Sequence, residues 1–192
     1  MYRNNLAERF VELTINGGKF EYSTDYRLFV DYCNIATNNG DISSFIRANK
    51  LPLNEKTILE INGLYFEQQP DEKTDIKDKS NKKSAYTFKY DVLWELIFSA
   101  FWEKYQIDLD IADLHFKKFK MLLNGVKDTK LNEVLECWGT PLQGLKKEER
   151  AYNKSVRNKY PLGATSTNET LEQRNNRMID YVKKRNKELN NG

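Results

Sequence analysis

The stretch from Asp91 to Tyr105 limits the fold more than any other part of the chain. Val92, Leu93, Trp94, Leu96, Ile97, Phe98, Phe101 and Trp102 leave almost no polar side on a helix. A helix that is apolar nearly all round must be covered on most sides. It therefore belongs at the centre of a core, with other helices packed around it. A chain of 192 residues is long enough to supply them. Eleven Tyr, ten Phe and three Trp provide the bulk.

The surrounding sequence offers helices of suitable length. Tyr26, Phe29, Val30 and Cys33 recur at helical spacing behind Thr24 or Asp25 as N-cap. A short helix is predicted around Ser44–Ala48, and after the stop at Pro52 another runs from Asn54 to about Phe66. A helix capped by Asp108 or Asp110 would place Ile111, His115, Phe119, Leu122 and Val126 on one face and end at Asn124-Gly125. Leu131–Trp138 and Lys146–Lys159 complete the set, the second stopped by Pro161-Leu162-Gly163. Near the N-terminus, Asn16-Gly17 separates two roughly alternating runs, Phe10–Ile15 and Lys19–Tyr22. That pattern predicts a hairpin, because both turn residues accept positive φ. The expected fold is mostly α with a small N-terminal β-hairpin, in the α+β class.

Two segments read differently. Gln68–Ser84 carries charges of both signs and one aliphatic residue, so it is expected to be an exposed loop. Ser166 and Glu169 match a capping box that opens a last helix running to about Leu189. The apolar positions of that helix, Leu171, Met178, Val182 and Leu189, form a thin heptad-like stripe shared with Asn175 and Arg185. So narrow a stripe suits docking better than a core. The expected organisation is a single helical domain over residues 1–163 and a protruding C-terminal docking helix over residues 164–192. Pro141–Gly192 holds 12 Lys/Arg against 6 Asp/Glu, a local excess of +6 in a chain whose net charge is +3. Lys183, Lys184 and Arg185 could meet an acidic surface, and basic residues at a helix C-terminus also complement its dipole.

Nothing in the chain reads as an enzyme. His115 is the only histidine, and on an apolar helix face it reads as a hydrogen-bonded core residue. Cys33 and Cys137 form no CxxC, which leaves zinc without a ligand set. Asp108 and Asp110 are accounted for by capping. No phosphate-binding glycine loop or nucleophile elbow is present. No catalytic residue, cofactor or metal is therefore expected. The net charge is too small, and aromatic platforms too few, to argue for nucleic acid. The N-terminus lacks the apolar core of a signal peptide, and no run is long enough to cross a bilayer, so a soluble, cytoplasmic protein is expected. Leu114 and Met121, one seven-residue step apart on the lysine-rich side of their helix, could form a partner patch or pack internally.

The segment Tyr105-Gln106-Ile107-Asp108-Leu109, followed by Leu114-His115-Phe116, Phe119, Leu122-Leu123 and Gly125, resembles the Gp-fifteen-like family of long-tailed phages. That family reads roughly Tyr-Gly-Ile-Asp-Leu, then Leu-His-Trp-Trp, then Phe and Leu-Leu-x-Gly-Leu. Val11-Glu12-Leu13, Gly17, Tyr22 and Thr24-Asp25-Tyr26-Arg27 resemble its opening. Gln106 stands where the family has Gly, and Phe116-Lys117 where it has two Trp. The resemblance implies a non-catalytic tail assembly chaperone that coats the tape measure protein while the tail tube grows. The major tail protein and a second copy of the chain are further partner candidates. A structural tail or head–tail connector subunit, or a small nucleic-acid-associated regulator, are the alternatives. The residues carried forward as partner-binding are Leu114, Met121, Leu171, Met178, Val182, Lys183, Lys184, Arg185 and Leu189.

Overall fold

The computed structural model describes residues 8–38, 40–66, 86–163 and 171–190; the segments around Gln68–Ser84 and Ser166–Glu169 lie outside them. Among the described residues the chain is mostly helical, with one two-stranded antiparallel hairpin. Strands β1 (Phe10–Ile15) and β2 (Gly18–Ser23) pair in the register Val11↔Tyr22 and Leu13↔Phe20. Asn16 and Gly17 both take positive φ, 51° and 81°, as the two-residue turn requires. Leu13, Ile15 and Tyr22 are buried.

The described residues separate into two compact units. The first holds α4 (Tyr90–Tyr105), α5 (Phe116–Gly125), α6 (Lys130–Gly139) and α7 (Lys147–Lys159). As its composition demands, α4 is central, packing against both α5 and α6. Leu93, Ile97, Ala100 and Phe101 face the core, and Phe101 stacks on Phe119 with ring centroids 5.2 Å apart. On the next face of α4, Trp94 and Phe98 are half-buried and Trp102 is exposed. The helix is thus covered on fewer sides than its sequence suggests.

The second unit joins the hairpin, α1 (Tyr26–Asn38), α2 (Ile42–Ala48) and α3 (Glu55–Phe66) to the far end of the chain, α8 (Leu171–Asn190). Its core is tyrosine-rich. Tyr22, Tyr26, Tyr32 and Tyr65 are all fully buried, and the Tyr22 and Tyr65 hydroxyls hydrogen-bond at 2.8 Å. Burial pushes both phenols well above the ordinary tyrosine range.

These units redraw the organisation expected from sequence. The C-terminal helix is not a protruding appendage to a domain ending at residue 163. It packs on α2 and α3 and buries Met178, Ile179 and Val182. The stripe is narrow because much of the seam is closed by hydrogen bonds instead of hydrocarbon.

A second difference concerns the start of α5. Asp108 and Asp110 do not cap it. The Asp108 carboxylate accepts from the Asp110 amide at 2.9 Å, and its carbonyl accepts from Ala112 at 2.8 Å, which makes a turn. Ile111 is consequently 80% exposed, not on a core face. The helix begins at Phe116, with His115 as its N-cap. The His115 Nδ1 accepts from the Lys117 amide at 3.0 Å.

Candidate partner-binding surfaces

In the first unit, the turn between α4 and α5 is fastened by a few specific contacts. Gln106 closes α4 in the left-handed region at φ 53°, with its amide donating to Trp102 O. The Tyr105 hydroxyl donates to Leu122 O at 2.9 Å. A Cβ at Gly125 would stand 3.0 Å from that hydroxyl, so the close approach favours glycine. Leu109, Leu114, Phe116 and Phe119 are buried beneath the turn. What remains outward is apolar and basic. Met121 is 64% exposed on a helix carrying Lys117, Lys118 and Lys120 and no acidic residue, and Trp102 is 52% exposed.

Also in this unit, Arg157 of α7 closes the C-terminus of α6. Its guanidinium donates to Cys137 O at 3.0 and 2.8 Å and to Thr140 O at 2.5 Å, with its carbon 5.1 Å from the Trp138 ring centre. The Trp138 indole in turn donates to Tyr160 O at 2.8 Å. Burial raises the Cys137 thiol, with Glu133 adding to the shift, so it behaves as a small core side chain.

In the second unit, the seat of α8 is a layered set of contacts. At its base lies Asn62, buried in α3. Its Oδ1 accepts from the Tyr32 hydroxyl at 2.9 Å, and its Nδ2 donates to Asn175 Oδ1 at 2.7 Å. Around this pair, Arg177 donates to Ala36 O at 2.9 Å and Asn186 donates to Leu53 O at 2.7 Å. The Tyr181 hydroxyl donates to Asp41 at 3.0 Å, and Lys183 pairs with Glu55 at 3.0 Å. Asp41 is itself the N-cap of α2. Hydrogen bonds from Ser43 and Ser44 hold its carboxyl well below the usual range, with Tyr181 contributing less.

The nine residues singled out from sequence do not form one surface. Leu114 and Met121 belong to the first unit and the rest to the second. Leu114 is buried, so of that pair only Met121 meets solvent. Met178 and Val182 are buried inside the second unit and are not a free docking stripe. Lys183 and Lys184 are exposed, while Arg185 pairs with Glu188 at 2.9 Å along its own helix. The side chains of Leu171 and Leu189 lie outside the described residues. The sequence reading missed Asn62, Arg177 and Asn186. One signal did point to such a seat: an asparagine, Asn175, inside an apolar seam.

The strongly shifted groups are thus ones that hold the fold together: a cap, and a buried phenol pair. Among the described residues no helix is long and apolar enough to cross a membrane, and no cluster of His, Cys, Asp or Glu could hold a metal ion. Together these features define a small, mainly helical protein whose polar chemistry fastens helices to one another. The chain belongs to the bacteriophage Gp15 protein family, whose model matches residues 52–162, more than half its length. It is therefore a phage protein. No curated protein and no solved structure matches it.

Proposed function

We propose that this phage protein is a non-catalytic tail assembly chaperone that binds the tape measure protein in the host cytoplasm while the tail tube assembles. Membership of the Gp15 family, across a match spanning α3 to α7, carries the reading. The exposed Trp102, Ile111 and Met121 support it, since all three fall within the matched segment and all are large apolar side chains in solvent. A partner helix could cover them reversibly.

The test has two parts. The chain is co-expressed with its phage's tape measure protein and captured by a tag on the chain, and purified virions are analysed by mass spectrometry. Co-capture of the tape measure protein, with the chain absent from virions, is expected. Trp102→Glu with Met121→Glu should abolish capture without changing the melting temperature. Stoichiometric presence in virions would overturn the chaperone reading in favour of a structural tail or connector subunit.

A further inference from the structure

We infer that the face of α1, α2 and α3 covered by α8 is an acceptor site for a basic, donor-rich amphipathic helix. In this reading α8 is its built-in occupant, and a partner's helix of the same chemistry can take its place. The inference does not depend on the phage-tail reading, since it rests on the second unit alone.

The chemistry of the seat is one-sided. Of the five polar contacts to α8 described above, four are made by acceptors on the seat: Ala36 O, Leu53 O, the Asp41 carboxylate and the Glu55 carboxylate. Two of these are anionic. Ala36 O lies in the last turn of α1, where carbonyls lack partners within the helix and the dipole is negative. The described donors on the seat are both buried: Asn62, and the Tyr32 hydroxyl, which lies 4.0 Å from the Met178 sulfur. The seat thus calls for positive charge and N–H or O–H groups at its rim and one acceptor at its base. α8 supplies this pattern. It carries six Lys/Arg against three Asp/Glu, presents donors from Arg177, Tyr181, Lys183 and Asn186, and places Asn175 over Asn62.

The seat also reads spacing. Asn175 is followed at +3, +4 and +7 by Met178, Ile179 and Val182, which fill the apolar strip. A helix without an acceptor at the Asn175 position would strand the buried Asn62 amide, which selects against it. Few apolar side chains and many exchangeable polar ones make a contact that another helix can replicate. This is the helix-in-groove mode of recognition, with the groove filled from the same chain. An intramolecular occupant competes at high effective concentration, so it holds other helices off until one of matching pattern is delivered locally.

The experiment uses the full-length chain and a labelled peptide of residues 171–190 as the probe. Met178→Asp with Val182→Asp unseats the chain's own α8. Fluorescence anisotropy should then show the peptide binding this variant at least ~10-fold more tightly than wild type, whose seat is filled. Adding Asn62→Ala should weaken that binding by ~10-fold or more, and a scrambled peptide of the same composition should not bind. Salt should weaken the interaction, because the Asp41 and Glu55 contacts are screened. If the unseated variant unfolds, the peptide added during refolding should restore its far-UV circular dichroism and a cooperative melt. A folded variant that ignores the peptide, equal binding to wild type and variant, indifference to Asn62→Ala, or failure of the peptide to rescue an unfolded variant would each overturn the inference. None of these outcomes bears on capture of the tape measure protein through Trp102 and Met121.

Discussion

Replacing Met178 and Val182 together by alanine separates a helix that belongs to a core from one that merely leans on it. Both side chains are essentially buried, and the Met178 sulfur lies 4.0 Å from the Tyr32 hydroxyl. Truncating a buried methionine costs about 2–5 kcal/mol, and the two methyl groups of a buried valine about 1–2 kcal/mol more. A combined loss of about 4 kcal/mol is reasonable, since the helix can settle partly into the space. In a unit of about 100 residues, each kcal/mol moves the midpoint by about 4–8 °C, so a drop of about 15–30 °C is expected. Tryptophan emission probes the first unit alone, whereas near-UV tyrosine circular dichroism probes both, since Tyr86, Tyr90, Tyr105, Tyr152 and Tyr160 also lie in the first. All three tryptophans, Trp94, Trp102 and Trp138, lie in the first unit, whereas the buried Tyr22, Tyr26, Tyr32 and Tyr65 lie in the second. The loss should appear in the tyrosine near-UV circular dichroism, while tryptophan emission reports the first unit. A double variant whose tyrosine signal melts within about 2 °C of wild type would refute the packing of α8, because an appended helix would cost under about 1 kcal/mol.

Asp41→Asn should alter the acid limb of the stability curve. A carboxyl held below its ordinary value of 3.8 adds stability above that pH and loses it as pH falls through the lowered value. The gap between wild type and variant should therefore be widest near neutrality and close below about pH 4, as read from urea melts across pH. Gln106→Gly should stabilise the chain by about 0.5–1 kcal/mol, because Gln106 holds φ 53° at the end of α4 where glycine carries no Cβ penalty; a lower midpoint in denaturant would contradict this. Arg157→Lys should cost about 2 kcal/mol, since an ammonium cannot serve Cys137 O and Thr140 O with the same fork or lie flat on Trp138. Tryptophan emission would report that loss, and an unchanged midpoint would show that water replaces the guanidinium.

Much of the architecture could be read from the chain because it depends on neighbours in sequence. The hairpin follows from Asn16-Gly17 and the alternating runs on either side of it. The helices α1, α2, α3, α4, α6 and α7 follow from spacing and from stops at Asn38, Pro52, Gly139 and Pro161. The stretch from Asp108 to His115 was not legible in the same way. Two aspartates, an aliphatic and a histidine at helical spacing look like a helix start, yet Asp108 satisfies the Asp110 amide locally and ends the matter in a turn. Short polar side chains compete with helix for backbone partners, and pattern alone does not show which outcome wins. The seat of α8 was hidden for another reason. Its partners stand more than a hundred residues away in sequence, and a stripe of two or three aliphatic residues gives no sign of the carbonyls and carboxylates that complete it.

The residues that carry the family resemblance can now be given physical roles. Tyr105 reaches across to Leu122 O, Gly125 makes room for it, and Asp108 closes the turn. Leu109 and Leu114 fill the space beneath, His115 starts α5 and Phe119 stacks on Phe101. Each of these residues helps fix how α5 folds back on α4. A signature made of fasteners specifies a scaffold and leaves outward positions free to vary with the partner. The positions where this chain departs from the family pattern fit that division only in part, since Phe116 is buried and Gln106 itself closes α4. Lys117 stands on the lysine-bearing side of α5 where the family has a tryptophan, and Gln106 at the end of α4 where it has glycine. Partner choice in this chain is then expected to follow Trp102, Met121 and the α5 lysines. Exchanging those for the corresponding residues of another family member should transfer binding while the fasteners stay untouched. Exchanging Tyr105 or His115 should change stability alone.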